Sequence, residues 1–152
     1  MTVTALPVPR THHVSKGWIS QVLLAQFGVF LAQITVMAFT LSVRLHELAP
    51  DRQEYLGYVL GIGSLASMVA GPLAGTLSDR TRSRFGRRRP WVVVPAFLGL
   101  GALLVVATAP TVVVLGLGWM ACHLTWGIAG AALGNTLADT LPPGQRGKVA
   151  GL

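Results

Sequence analysis

The sequence is poor in the residues that most chemistry requires. It has one cysteine, Cys122, which excludes a disulfide framework and a multi-thiolate metal site. It has five acids in 152 residues, Glu47, Asp51, Glu54, Asp79 and Asp139. No nucleophile–base pair, phosphate-binding loop or metal-ligand cluster can be assembled from its motifs, so neither an enzyme nor a cofactor is expected. Charged residues amount to 11%, where a soluble domain carries about a quarter. That deficit excludes a disordered chain and argues against a water-soluble globule.

Apolar residues fill the gap, at 52% with a mean hydropathy of +0.60. Asp, Glu, Lys and Arg are absent from 17–43, 55–78 and 90–138. A helix needs about 20 apolar residues to cross the bilayer core. The first two stretches hold one span each. The third holds two, divided at Thr108-Ala109-Pro110-Thr111, because a proline disfavours helix in the residue before it. The sequence therefore predicts an all-α membrane protein with transmembrane helices at about 18–43, 56–78, 91–108 and 111–138. Residues 1–17 are expected as a tail, and 139–152 as a loop leading into a fifth helix. The first span is too long for a signal h-region, and no small-x-small cleavage site follows it.

The net charge of +7 is unevenly placed. Arg10, Lys16, Arg80, Arg82, Arg84, Arg87, Arg88, Arg89, Arg146 and Lys148 fall on one side of the predicted membrane, and only Arg44 and Arg52 on the other. The excess predicts cytoplasmic termini. Trp18 and Trp91 then stand at the inner interface and Tyr55 at the outer one. The flanking spans make nucleic acid the least suitable partner for the arginines, and the lipid bilayer is the expected one.

Small residues and rare polar residues mark the helix faces. Gly71 and Gly75, Gly57 and Gly61, and Gly127, Gly130 and Gly134 are spaced for close helix contact. His123 is the one histidine inside a span, and Trp119, His123 and Trp126 at i, i+4 and i+7 share a helix face. Gln26 and Gln33 share a face of the first span. Indoles stack on sugars, amides bind hydroxyls and an imidazole carries protons, so these five are candidates for a solute cavity. The alternative is interhelical packing and hydrogen bonding.

Between spans two and three the order of residues is specific. Gly75-Thr76-Leu77-Ser78-Asp79-Arg80 is followed by Gly86-Arg87-Arg88, then Pro90-Trp91. This resembles the loop-two signature of the major facilitator superfamily. The longer form SDRTRSRFGRRRPW is similar to that of the glycoside–pentoside–hexuronide:cation symporters and the related sucrose–proton symporters. Leu137-Ala138-Asp139-Thr140-Leu141-Pro142 resembles that family's passage from helix four to helix five. The resemblance implies a twelve-helix fold of which this chain is the first part. It also implies secondary active transport of a small, sugar-like solute by alternating access.

For the loop, the resemblance implies gating by Gly75, Asp79, Arg80, Gly86, Arg87, Arg88 and Asp139. Asp79 would cap a helix of the other half, and Arg87 or Arg88 would pair with Asp139. Missing C-terminal helices would complete the site, and the plasma (inner) membrane is the expected location. The carboxylates of the melibiose-type members are replaced by Ser67, Ala70 and Gly71, which favours a proton over sodium as the coupling cation. Two other readings stay open: a complete four-helix exporter acting as a dimer, and a non-transporting remnant or subunit.

Overall fold

The computed structural model describes residues 14–84 and 88–142. Among them it shows four long helices: α1 (Lys16–Leu48), α2 (Glu54–Arg80), α3 (Arg89–Thr108) and α4 (Val112–Thr140). Each is long and apolar enough to cross a bilayer. The predicted tail before residue 14 and the start of a fifth helix lie outside the described residues.

Local chemistry sets the helix ends. Ser15 caps α1, its hydroxyl accepting from the Trp18 N–H at 3.3 Å, and Thr111 caps α4 through the Val114 N–H at 3.3 Å. Pro90 occupies the first turn of α3, where its missing N–H costs nothing. Pro110 follows the end of that helix, where its ring prevents continuation. Pro72 and Pro95 lie within helices, as transmembrane segments allow.

Two ends differ from the expectation. Helix α1 continues past Val43 to Leu48, carrying Arg44 and Glu47. Charge limits the apolar span and not the helix, and two of the Arg44 nitrogens find partners. The Arg44 Nη1 lies 2.5 Å from Glu47 Oε2, and Nη2 donates to the Ala109 carbonyl at 2.7 Å. Helix α4 runs to Thr140, so Asp139 belongs to its last turn and not to a loop.

Helix α4 is the centre of the bundle. It packs along α2 and α3 and more sparingly against α1. Leu115, Trp119, Cys122, Ala129 and Ala132 are fully buried on it. Helix α1 buries Val36, Leu41 and Leu45 in its upper part, and nothing between Lys16 and Thr35. A π-helical turn, Val36–Thr40, separates those two parts. Large apolar side chains such as Phe27, Phe30, Met68, Phe97 and Leu104 are exposed, as a lipid-facing or helix-facing surface requires.

The close approaches fall on glycines other than the predicted pairs. A Cβ on Gly57, Gly61, Gly71, Gly75 or Gly134 would meet nothing within 4 Å. The face of α2 that meets its neighbours carries Val59, Gly63, Ala70, Ala74 and Ser78, and those glycine pairs lie to its sides. Contact is close at Gly63, Gly99, Gly118 and Gly127. A Cβ on Gly118 would stand 3.2 Å from the Val106 backbone nitrogen, and one on Gly127 2.8 Å from the Ala70 Cβ. Of the predicted contacts, Gly127 makes a tight one, and Gly130 an ordinary one with Gln26 at 3.5 Å.

Candidate gating cluster and mid-membrane polar site

The Arg-rich end of the bundle gathers two acids around one guanidinium. Asp79 stands in the last turn of α2 and Asp139 in the last turn of α4. A carboxylate there faces the negative end of the helix dipole and is disfavoured unless a cation is near. Arg88, just before α3, supplies it. Its Nε donates to Asp139 Oδ2 at 2.7 Å, its Nη2 lies 2.6 Å from the same oxygen, and Nη2 lies 3.7 Å from Asp79 Oδ1. Arg88 is largely covered, while both carboxylates remain about half exposed.

Two hydroxyls of the motif to which the sequence reading assigned no role, Ser78 and Thr81, brace this arrangement. Ser78 is fully buried; its Oγ accepts from Arg88 Nη1 at 3.3 Å and donates to the Gly75 carbonyl at 3.2 Å. The Trp91 indole donates to Thr81 Oγ1 at 2.8 Å, joining the end of α2 to the start of α3. Thr81 in turn donates to the Leu77 carbonyl at 2.8 Å. The signal for both was their place within the motif, since hydroxyls flanking a charged helix end are ready partners. Of the other predicted motif residues, Arg80 is exposed, and Gly86 and Arg87 lie outside the described residues.

Deeper in the bundle, three helices meet at His123. Its Nδ1 lies 3.0 Å from Gln33 Nε2 on α1 and 2.6 Å from Ser67 Oγ on α2. The Trp119 ring stands edge-on to the imidazole, with centroids 4.2 Å apart and planes at 79°. Sequence reasoning proposed Gln33, Trp119 and His123. It noted Ser67 only for lacking a carboxylate, because nothing in a helical period says which side chain of another helix lies opposite. In lipid such interhelical hydrogen bonds contribute about 0.6–2 kcal/mol each.

The predicted aromatic face divides between two neighbours. Trp119 is fully buried against Gly63 of α2, and Trp126 lies at 4% exposure against Gly99 of α3. Neither indole face is open within this four-helix arrangement. The missing side chains of Gly63 and Gly99 make room for the rings, since a Cβ on Gly99 would stand 2.7 Å from Trp126 Cε2. Gln26 faces Gly130 and lines a groove along α1 together with Phe27 and Phe30. Its Oε1 and the Trp119 Nε1 are buried without hydrogen-bond partners among the described residues. Cys122 points the other way, toward the Gly99 carbonyl at 3.8 Å.

Comparison with known proteins gives this arrangement its context. The sequence profile of the Major Facilitator Superfamily matches residues 3–152. The chain is 38% identical over 61 residues to the general alpha-glucoside permease of Schizosaccharomyces pombe, a match covering 40% of the chain and 11% of the permease. It is 39% identical over 119 residues to solute carrier family 45 member 3 of Macaca fascicularis, covering 71% of the chain and 20% of that carrier. It is 38% identical over 78 residues to the human proton-associated sugar transporter A, covering 51% of the chain and 10% of that transporter. The matched stretches thus span 10% to 20% of these relatives' own length. No solved structure matches the chain significantly.

Proposed function

This chain belongs to the Major Facilitator Superfamily, and on that premise we propose that it supplies four helices of a secondary active transporter for a small sugar. The observation that carries this reading is the Arg88–Asp139 pair. It ties the connection between α2 and α3 to the end of α4 at 2.6 Å, with Asp79 beside it. A forked guanidinium on a half-exposed carboxylate is strong enough to favour one arrangement of helix ends. It is also weak enough to release when a competing arrangement gains contacts. In alternating access, that cluster closes one face of the protein and opens as the helices rock. Asp79 and Asp139 share the cation in the closed state.

The solute class comes from the relatives, named as a glucoside permease and a proton-associated sugar transporter. The polar side chains Gln26, Gln33 and His123 along the α1–α4 contact suit a hydroxyl-rich molecule, and no acid lies within 17–43 or 90–138 to compete for them. The coupling ion in this reading is a proton, because His123 is the one titratable side chain of that group. The ten basic residues on the Arg-rich side support a cytoplasmic location for it.

The test uses the intact transporter that contains this chain, reconstituted in proteoliposomes. An imposed pH gradient drives accumulation of an α-glucoside such as sucrose or maltose, and collapsing the gradient abolishes it. Failure of a correctly inserted, monodisperse protein to move any sugar under that gradient would overturn the proposal.

A further inference from the structure

The contacts of His123 amount to a two-state hydrogen-bond switch. Its Nδ1 has one bonding position, yet two groups are within reach: Gln33 Nε2 at 3.0 Å and Ser67 Oγ at 2.6 Å. An amide NH2 can only donate, so the Gln33 orientation requires Nδ1 to be a bare lone pair. His123 is then neutral, with its proton on Nε2. When a second proton arrives, Nδ1 becomes a donor and the Gln33 NH2 is the wrong partner. The amide must turn by half a rotation to present Oε1. The Ser67 hydroxyl must offer its lone pair, and its own proton can turn to a carbonyl of the preceding helical turn, as buried serines do.

We infer that His123, Gln33 and Ser67 form a proton-binding site in which protonation of the imidazole reverses the Gln33 amide, so that the group Gln33 turns away from His123 changes from acceptor to donor. With His123 neutral, Gln33 offers Oε1 to a solute. With His123 protonated, it offers N–H. Proton binding and solute binding are therefore coupled through one side chain. This deepens the transporter reading and rests on it for the identity of the solute, a molecule rich in hydroxyl or ether oxygens.

The surroundings suit a switch of this kind. Helix α1 presents Gln26 and Gln33 to α4, and α2 presents Gly63 and Ser67 to His123. None of these titrates. On α4 itself the neighbours are Trp119 and Cys122, whose thiol points to the Gly99 carbonyl on the α3 side. Asp, Glu, Lys and Arg are absent from 17–43, 55–78 and 90–138, so no fixed charge in those stretches holds the imidazole in either state. Two alternative hydrogen-bond patterns at Nδ1, one for each protonation state, do that instead. The buried Oε1 of Gln26, seven residues from Gln33 on the same face, adds a second acceptor awaiting a donor.

Trp119 provides the readout. Its ring meets the imidazole at 4.2 Å, and a protonated imidazole quenches indole fluorescence on contact. The intact transporter is titrated in lipid nanodiscs between about pH 5 and pH 8, the range in which histidine charge changes. The expected result is a fluorescence component that falls on acidification, absent from Trp119→Phe and from His123→Gln. Saturating solute moves its midpoint by about 0.7 pH unit or more, a roughly five-fold change in proton affinity. In Gln33→Leu the component still titrates but no longer responds to solute.

A wild-type protein that binds solute yet shows no titrating component overturns the inference, as does an undiminished solute response in Gln33→Leu. Gln33→Asn, which keeps the amide on a shorter stem, serves as a second variant should the leucine disturb insertion; it retains part of the solute response if the amide is responsible. The two readings fail separately. Titration without sugar uptake removes the transport reading and leaves the proton site. Gradient-driven uptake without titration removes the proton site alone.

Discussion

Arg88 and Asp139, 51 residues apart, meet through two guanidinium nitrogens on one carboxylate oxygen, at 2.7 and 2.6 Å. The pair offsets an acid placed at the wrong end of a helix dipole. It therefore stabilises the end of α4 locally and also bonds α4 to the α2–α3 connection.

Asp139→Asn keeps the shape and removes the charge. Arg88→Lys keeps the charge and removes the fork. With Asp139 about half exposed, the pair is worth roughly 1 kcal/mol after solvent screening. Each variant should shift the balance between the two faces of the intact transporter about five-fold. Cysteine accessibility on the Arg-rich face measures the shift, and the transport rate should change more than solute affinity. Equal accessibility in both variants and the wild type would remove gating from this pair.

Gly99 and Trp126 form a size-complementary couple, because a Cβ on Gly99 would enter the indole. Gly99→Ala should destabilise by about 1–3 kcal/mol through overpacking. Trp126→Phe in the same chain should recover part of that loss. Thermal unfolding in nanodiscs checks both, and strictly additive losses would show that the two positions do not meet.

Trp126 at 4% exposure is a packing side chain in this arrangement. Trp126→Ala should cost about 3–5 kcal/mol of stability by cavity formation. The protein that remains folded should bind solute with unchanged affinity. A large loss of affinity at full stability would instead return this indole to the solute cavity.

Arg44 joins α1 to the turn between α3 and α4 through the Ala109 carbonyl, which is itself buried. Arg44→Met retains the apolar stem and abandons that carbonyl. Leaving a buried acceptor without a partner costs about 1–3 kcal/mol. Hydrogen exchange should quicken at the ends of α1 and α3 and stay unchanged around Arg88. Uniform behaviour across the bundle would argue against a local tether.

The topology can be read by labelling. Cys122 is fully buried, so the native thiol gives a low background. A cysteine replacing Asp51 should react with an impermeant maleimide on intact cells. One replacing Arg82 should react only after permeabilisation. The opposite pattern would invert the orientation drawn from the arginines.

Much of the architecture could be read from one-dimensional features. Charge-free length gave four apolar spans, because the bilayer sets a minimum helix length that any sequence must meet. The Ala109-Pro110 break divided the third stretch where the structure divides it, since proline acts on its own neighbours. Order and spacing around Asp79 and Arg88 announced the family. Charge patterns were less exact at helix ends, as Arg44 and Asp139 show. A charge bounds the apolar stretch but does not end the helix, and both of these find a partner in another segment.

The choice of contacts belonged to the tertiary structure. Glycine spacing pointed to Gly57, Gly61, Gly71 and Gly75, yet α2 turns Gly63 to its neighbour. Spacing defines the faces of a helix but not which one meets another helix, and in lipid no hydrophobic gradient makes that selection. The same holds for His123. Its place within a span was plain from the sequence, while its bonds to Gln33 and Ser67 required three helices to converge. The sequence determined what crosses the membrane and which rare polar groups go with it. Packing alone decided which of those groups touch, because each partner lies tens of residues away along the chain.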